Sequence, residues 1–230
     1  MNLAINSQNL SKSYVTGDIQ TLASDNISLE IGVGEFVSIV GPSGGGKSTL
    51  LTLLGMMGEA SSGHLSILGV DVSKLNEREK SHFRNEKLGY IFQSFNLISD
   101  LNVLDNVLLP TAYNSRVKRK SKVALAEFLL DKVGLGHRKK HLPSQLSGGQ
   151  QQKVAIARSL IMEPEIIFAD EPTGNLDSVS TEQIMDILKD INSQKTTVVM
   201  VTHNEALADM ATRKIRIQDG RINSDELTAK

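Results

Sequence analysis

Apolar and polar residues alternate through the first thirty positions, with Leu3, Ile5, Ile27, Leu29 and Ile31 in the apolar phase. That is the period of half-buried strands, so an antiparallel β region is expected at the front. Residues 36–40 form a short, mainly apolar run of buried-strand type that leads into a glycine-rich stretch, 41–46, followed by a helical pattern from Lys47 to about Met57 that Gly58 stops. From about 94 to 162 the period is helical: 103–107, then 122–133 with Leu125, Leu129 and Leu130 on one side, then 150–161 with Val154, Ile156, Ala157 and Leu160. Strand patterns return at 166–170, 196–202 and 214–218, with a helix expected over 180–191. Strands alternating with helices imply a mainly parallel sheet covered on both faces. The chain reads as α/β: a mixed, mainly parallel core sheet flanked by helices, an N-terminal antiparallel β region and a helical subdomain. A single domain over 1–230 is expected, with a core lobe at about 1–93 and 163–230 and a helical lobe at about 94–162.

Composition removes some functions. The 25 Lys+Arg against 26 Asp+Glu give a net charge of -1, so no global basic field offers itself to nucleic acid. With 230 residues, 40% of them hydrophobic, the chain can bury a sizeable core as an ordinary soluble globular protein. The absence of cysteine excludes disulfides, thiolate metal sites and a cysteine nucleophile. Residues 1–14 lack the apolar core of a signal peptide, and no apolar run approaches the ~20 residues of a membrane span, so the chain is not expected to cross a membrane by itself. The basic run at 116–122 reads as a solvated face, with contact to lipid headgroups as the alternative. Met56 and Met57 read as core fillers.

The chemistry starts at Gly41-Pro42-Ser43-Gly44-Gly45-Gly46-Lys47-Ser48, which fits G-x-x-x-x-G-K-[ST] between an expected strand and an expected helix. Glycines let successive backbone N–H groups point at phosphate oxygens, and the helix start adds its positive dipole end. Lys47 would meet the β- and γ-phosphates, and Ser48, with Thr49 beside it, would reach Mg²⁺. The strand at 166–170 then delivers Asp170 and Glu171 to the sheet edge where ligands bind. Asp170 would hold the metal through a water, and Glu171 would orient and deprotonate the attacking water.

Between these two motifs stands Leu146-Ser147-Gly148-Gly149-Gln150, which resembles the signature of the ATP-binding cassette (ABC) ATPases. Other motifs of that family match as well: Gln93 resembles the Q-loop, Gly174 to Asp177 the D-loop, and His203 the switch histidine, while Tyr14 stands where the family places an adenine-stacking aromatic. Departures are small: Gly45 replaces a usual Ser, Lys153 a common Arg, and Asn204 a common Asp. The stretches around Gln93 and Asp170 resemble the branch of macrolide exporters and lipoprotein-releasing ATPases.

The resemblance implies a P-loop NTPase fold, ATP and Mg²⁺ as ligands, and hydrolysis by Glu171, His203, Gln93 and Lys47, with Ser48, Gln93 and Asp170 at the metal. It implies that Ser147, Gly148 and Gly149, taken to precede a helix, together with Gln150 cap the nucleotide of a second copy in a head-to-tail dimer, with Asp177 at the interface. A helix N-cap would use the same residue type as Asp177, a tyrosine like Tyr14 is commonly just packing, and a histidine like His203 can simply end a strand. The implied partners are a second copy, a transmembrane permease docking near the Q-loop and helical lobe, and an extracytoplasmic adaptor reached through the permease; no nucleic acid is expected. The implied place is peripheral, on the cytoplasmic face of a bacterial inner membrane. Regulatory mechanotransmission without cargo, and a soluble ABC ATPase acting on nucleic acid or ribosomes, are the alternative functions.

Overall fold

The computed structural model of the chain describes residues 2–16, 19–114 and 118–228. In chain order its elements are β1 (Leu3–Thr16), β2 (Ile19–Gly32), β3 (Phe36–Val40), α1 (Lys47–Leu54), β4 (Ser62–Ile67), β5 (Val70–Asp71), α2 (Glu77–Lys87) and β6 (Leu88–Ile91). There follow α3 (Val103–Leu108), α4 (Arg119–Lys132), α5 (Gly148–Leu160), β7 (Ile166–Asp170), α6 (Ser178–Ser193), β8 (Thr197–Val201), α7 (Glu205–Ala208), β9 (Arg213–Gln218) and β10 (Arg221–Leu227).

Two sheets organise these elements. The first is antiparallel, in the order β2-β1-β4-β5; the second runs β10-β9-β3-β8-β7-β6 and is parallel except for the β10–β9 hairpin. Unbroken apolar strands are the mark of a sheet buried on both faces, and alternate residues here serve different cores. Phe168, Val199 and Val201 face a cluster shared with α1 and the antiparallel sheet, including Ile5, Leu29, Leu50 and Leu54. Ile167, Ala169, Val198 and Met200 face the other way, onto Ile184, Met185 and Leu188 of α6. A third cluster joins α3, α4 and α5 through Val107, Leu130 and Val154, while Ile156 of α5 belongs to the second cluster. One helix, α5, is therefore a wall common to the helical layer and the central sheet.

Several expectations are corrected. Helix α1 ends at Leu54, not Met57: Gly55 caps it, Met56 turns into the left-handed region (φ 56°), and the N–H groups of Met57 and Gly58 close back on Thr52 O. Met56 is buried as expected, but Met57 is 53% exposed and is no core filler. Helix α5 starts at Gly148, so Ser147 is its N-cap and Gly148 and Gly149 lie in its first turn rather than before it. Helix α4 starts at Arg119, inside the basic run; Lys118 and Lys120 are exposed, yet Lys122 is mostly covered and paired with Glu163. Arg116 and Val117 of that run lie outside the described residues.

Candidate functional site

Residues 41–49 curl between β3 and α1 because three glycines take positive φ: Gly41 at 153°, Gly44 at 77° and Gly46 at 97°. Two of them also permit close backbone approach. A Cβ on Gly41 would stand 1.9 Å from Ile217 O, and one on Gly46 2.2 Å from Ala23 O. Backbone bonds fasten the loop from outside: Gly220 N–H donates to Gly45 O (3.0 Å), and Asp25 N–H donates to Gly220 O (2.8 Å). The Asp25 carboxylate, largely buried, accepts from Arg221 Nε at 2.6 Å. The antiparallel sheet and the β9–β10 turn together thus set the shape of the loop. Within it Gly45 N–H donates to Pro42 O (3.1 Å), as does the Lys47 ammonium (2.8 Å). Lys47 is buried, Ser43 and Ser48 are exposed, and Thr49 is half-buried.

Beside the loop, Ser48 Oγ donates to Asp170 Oδ1 at 3.1 Å. Burial raises the Asp170 carboxyl above its usual pKa; the Ser48 hydrogen bond opposes this, the Glu171 charge adds to it and the Lys47 charge opposes it. Glu171 Oε1 lies 3.2 Å from His203 Nδ1. His203 follows β8, whose end is fixed by Thr202 N–H donating to Ile39 O (3.1 Å), while Asn204 accepts from the N–H groups of Ala206 and Leu207 to start α7. Gln93, two residues past β6, accepts at its carbonyl from Asn175 Nδ2 at 3.3 Å. At Gly174 an added Cβ would stand 2.8 Å from Gln93 Nε2 and 3.3 Å from Glu171 Oε2, so the ends of both side chains converge on this glycine. The structure thus brings together the loop, Asp170, Glu171, His203 and Gln93.

The remaining candidates lie elsewhere. Ser147 caps α5, accepting from Gln150 N–H at 3.3 Å, while Gln150 Oε1 accepts from Ser147 N–H at 3.1 Å. Gly149 packs on Ser180, where an added Cβ would stand 2.5 Å from the hydroxyl, and Gly148 faces Leu176 and Phe95. Asp177 caps α6, accepting from Ser180 N–H and Oγ, each at 2.8 Å, and those bonds hold its carboxyl below the usual pKa. Tyr14 is 47% exposed on the β1–β2 hairpin, with Lys12 Nζ 5.3 Å from its ring centre. Three participants were not visible as site residues in the sequence: Gly220, Gln152, which binds Pro172 O, and Arg158, which binds Phe95 O at 2.8 Å. Gln152 and Arg158 belong to the run 151–158 that follows Gln150 and shares in the signature resemblance; that run was the available signal, and the structure shows Gln152 buried and Arg158 half-buried.

A family profile described as ABC transporter matches residues 24–174. The macrolide export ATP-binding/permease protein MacB of Bdellovibrio bacteriovorus is 48% identical over 222 residues, 96% of this chain. The chain spans only 34% of that protein's length. The lipoprotein-releasing system ATP-binding protein LolD of Colwellia psychrerythraea is 42% identical over 93% of this chain and 83% of its own. Among solved structures, the dimeric ATP-binding cassette MJ0796, in a post-hydrolysis state bound to ADP and Pi, superposes with a TM-score of 0.89 at 39% identity, covering 98% of this chain and 99% of its own.

Proposed function

The chain belongs to the ABC transporter family, and from that premise we propose that it is the ATP-hydrolysing subunit that powers a separate transmembrane transporter of exporter or lipoprotein-release type. The observation that carries this reading is the meeting of the phosphate loop, the Ser48–Asp170 pair and the Glu171–His203 pair at one edge of the central sheet. Residues 41–49 wrap the phosphates, with backbone N–H groups as donors and Lys47 leaving Pro42 O for the β- and γ-oxygens. Tyr14 stacks on the adenine.

Ser48 Oγ and Asp170 Oδ1 are hard oxygens side by side, a donor pair that suits Mg²⁺, which keeps waters and phosphate ligands of its own. No group of three or more His, Cys, Asp or Glu gathers among the described residues, so these two oxygens, with Gln93, would share the ion with the phosphates. Bound there, Mg²⁺ supplies neutralisation of the charge on the β- and γ-phosphate oxygens. Glu171 takes the proton of a water as that water's oxygen attacks the γ-phosphorus and the bond to the β-phosphate oxygen breaks, releasing ADP and phosphate. His203, within hydrogen-bond range of Glu171, holds the γ-phosphate and the water in line.

Two copies meet head to tail, the first turn of α5 and Asp177 of one facing the loop of the other. The permease docks near Gln93 and the lobe at 94–162, and an adaptor is reached through it. No helix among the described residues is long and apolar enough to cross a membrane. The likeness to the lipoprotein-releasing ATP-binding protein supports a peripheral position, on the cytoplasmic face beside a separate permease.

The test is Glu171→Gln. The variant should bind ATP like the parent, lose about 100-fold or more in turnover and accumulate as an ATP-bound dimer. With ATP and Mg²⁺ it should retrieve a multi-span protein from detergent-solubilised membranes. A variant that stays monomeric with ATP and hydrolyses it at the parent rate would sink the assignment, and recovery of ribosomes or nucleic acid without a membrane protein would overturn the transporter reading.

A further inference from the structure

Glu171 has φ 44°, in the left-handed region that a residue with a side chain keeps only when its surroundings over-determine it. Two backbone bonds hold it there: Glu171 N–H donates to Val201 O, and Gly174 N–H donates to Glu171 O, each at 3.0 Å. The next carbonyl in the turn, Pro172 O, is held by a side chain from a different layer of the fold, Gln152 Nε2, at 2.6 Å. Gln152 is 0% exposed and stands on α5, one turn beyond the signature glycines. Its Oε1 is also buried and has no hydrogen-bond partner among the described residues. An amide sealed from water with half of its bonding capacity unmet is a poor core filler, since Met or Leu would occupy the same space without an unpaired polar atom. What the amide does that no apolar side chain could do is hold Pro172.

The same helix grips the other side of the site. Arg158, further along α5, donates from Nη2 to Phe95 O at 2.8 Å and also binds Asn96 O, just after Gln93. Phe95 and Asn96 are themselves at φ 60° and 50°. The helix that begins at the signature is thus bonded to the turn that carries Glu171 and to the segment that carries Gln93.

We propose that Gln152 is a positioning residue for hydrolysis: by holding the Pro172 carbonyl from α5, it fixes the Glu171 carboxylate and ties the setting of that base to the position of the signature helix. The proposal rests on the reading of Glu171 as the base. It makes α5 the element through which engagement of the signature is felt at the water-activating group of the same chain.

Two variants of the full chain test it. Gln152→Met keeps the length and volume and removes the donor; ATP affinity should stay within about twofold while kcat falls about tenfold or more, because small displacements of a reacting group carry large rate costs. Gln152→Glu places a carboxyl in a buried position that raises its pKa. Its protonated form can donate to Pro172 O and its ionised form cannot, so its kcat relative to the parent should fall as pH rises from about 6 to about 9, whereas the deficit of Gln152→Met stays flat. A Met variant with the parent's kcat, or a Glu-to-parent ratio independent of pH, would overturn the proposal; if the Met variant fails to fold, the Glu ratio decides. Normal hydrolysis by Glu171→Gln would instead remove the base reading itself, so the two failures are distinguishable.

Discussion

Helices α1 and α5 both begin in glycine-rich segments and both aim a positive dipole end outward, but they finish their N-termini differently. At α1 the N-cap is Gly46, left-handed and without any side-chain cap. At α5 the N-cap is Ser147, in extended geometry, locked in a reciprocal pair of hydrogen bonds with Gln150. The first N–H groups of a helix need partners from outside it. One helix leaves them without a side-chain cap, and the loop around it is fixed by close backbone approach of Ala23, Ile217 and Gly220. The other satisfies part of its own need, which makes it stable while nothing is bound. On the proposed function, the first end is the resident phosphate site and the second is the one completed by a second copy.

The largest effect is expected from Gly46→Ala. The methyl group would enter the 2.2 Å space before Ala23 O at a φ of 97°, so the loop must move. ATP affinity should fall by more than about 100-fold, roughly 2.7 kcal/mol, in a binding titration. Affinity within a few-fold of the parent would show that the loop's fixed shape is not what binds.

Much of this loop was legible in the sequence because its chemistry is local: the glycines, Lys47 and Ser48 are consecutive, and an apolar strand precedes them. Asp170 and Glu171 were legible for the same reason, at the end of 166–170. What fixes the loop was not. Gly220 is 175 positions from Gly45 and its bond is made by backbone alone, so no residue type announces it. Strand β4 was missed because most of its residues are exposed or half-exposed, and α2 because it buries no residue and so has no apolar stripe. Its capping box, Asn76 with Glu79, was the available signal. Strand β10 alternates only weakly and owes its place to pairing with β9.

A smaller effect is expected at the other helix. Ser147→Ala removes the side-chain half of the capping pair and should lower stability by about 1 kcal/mol. Binding of ATP to the single chain should remain within about twofold, because Ser147 is not part of the loop, while ATP-dependent self-association should weaken about tenfold. Measuring both by titration and by light scattering sharpens the contrast. Loss of ATP binding in the monomer would mean that the two helix ends are not independent.

The smallest effect separates a neutral cap from a charged one. Asp177 caps α6 as Ser147 caps α5, but it does so with a carboxylate that accepts two bonds from Ser180, and its pKa is lowered from the usual 3.8. A group whose folded pKa lies below its unfolded value stabilises the fold above the unfolded pKa, and that contribution is lost as pH falls through the folded one. The stability gap between the parent and Asp177→Ala should therefore be constant from neutral pH down to about 5 and shrink only below about 4. The corresponding gap for Ser147→Ala should show no such bend, because a hydroxyl does not titrate there. Denaturant melts of both variants across this range read the difference directly, and a gap for Asp177→Ala that stays level to the acid end would show that the neutral carboxyl caps α6 as well as the ionised one does.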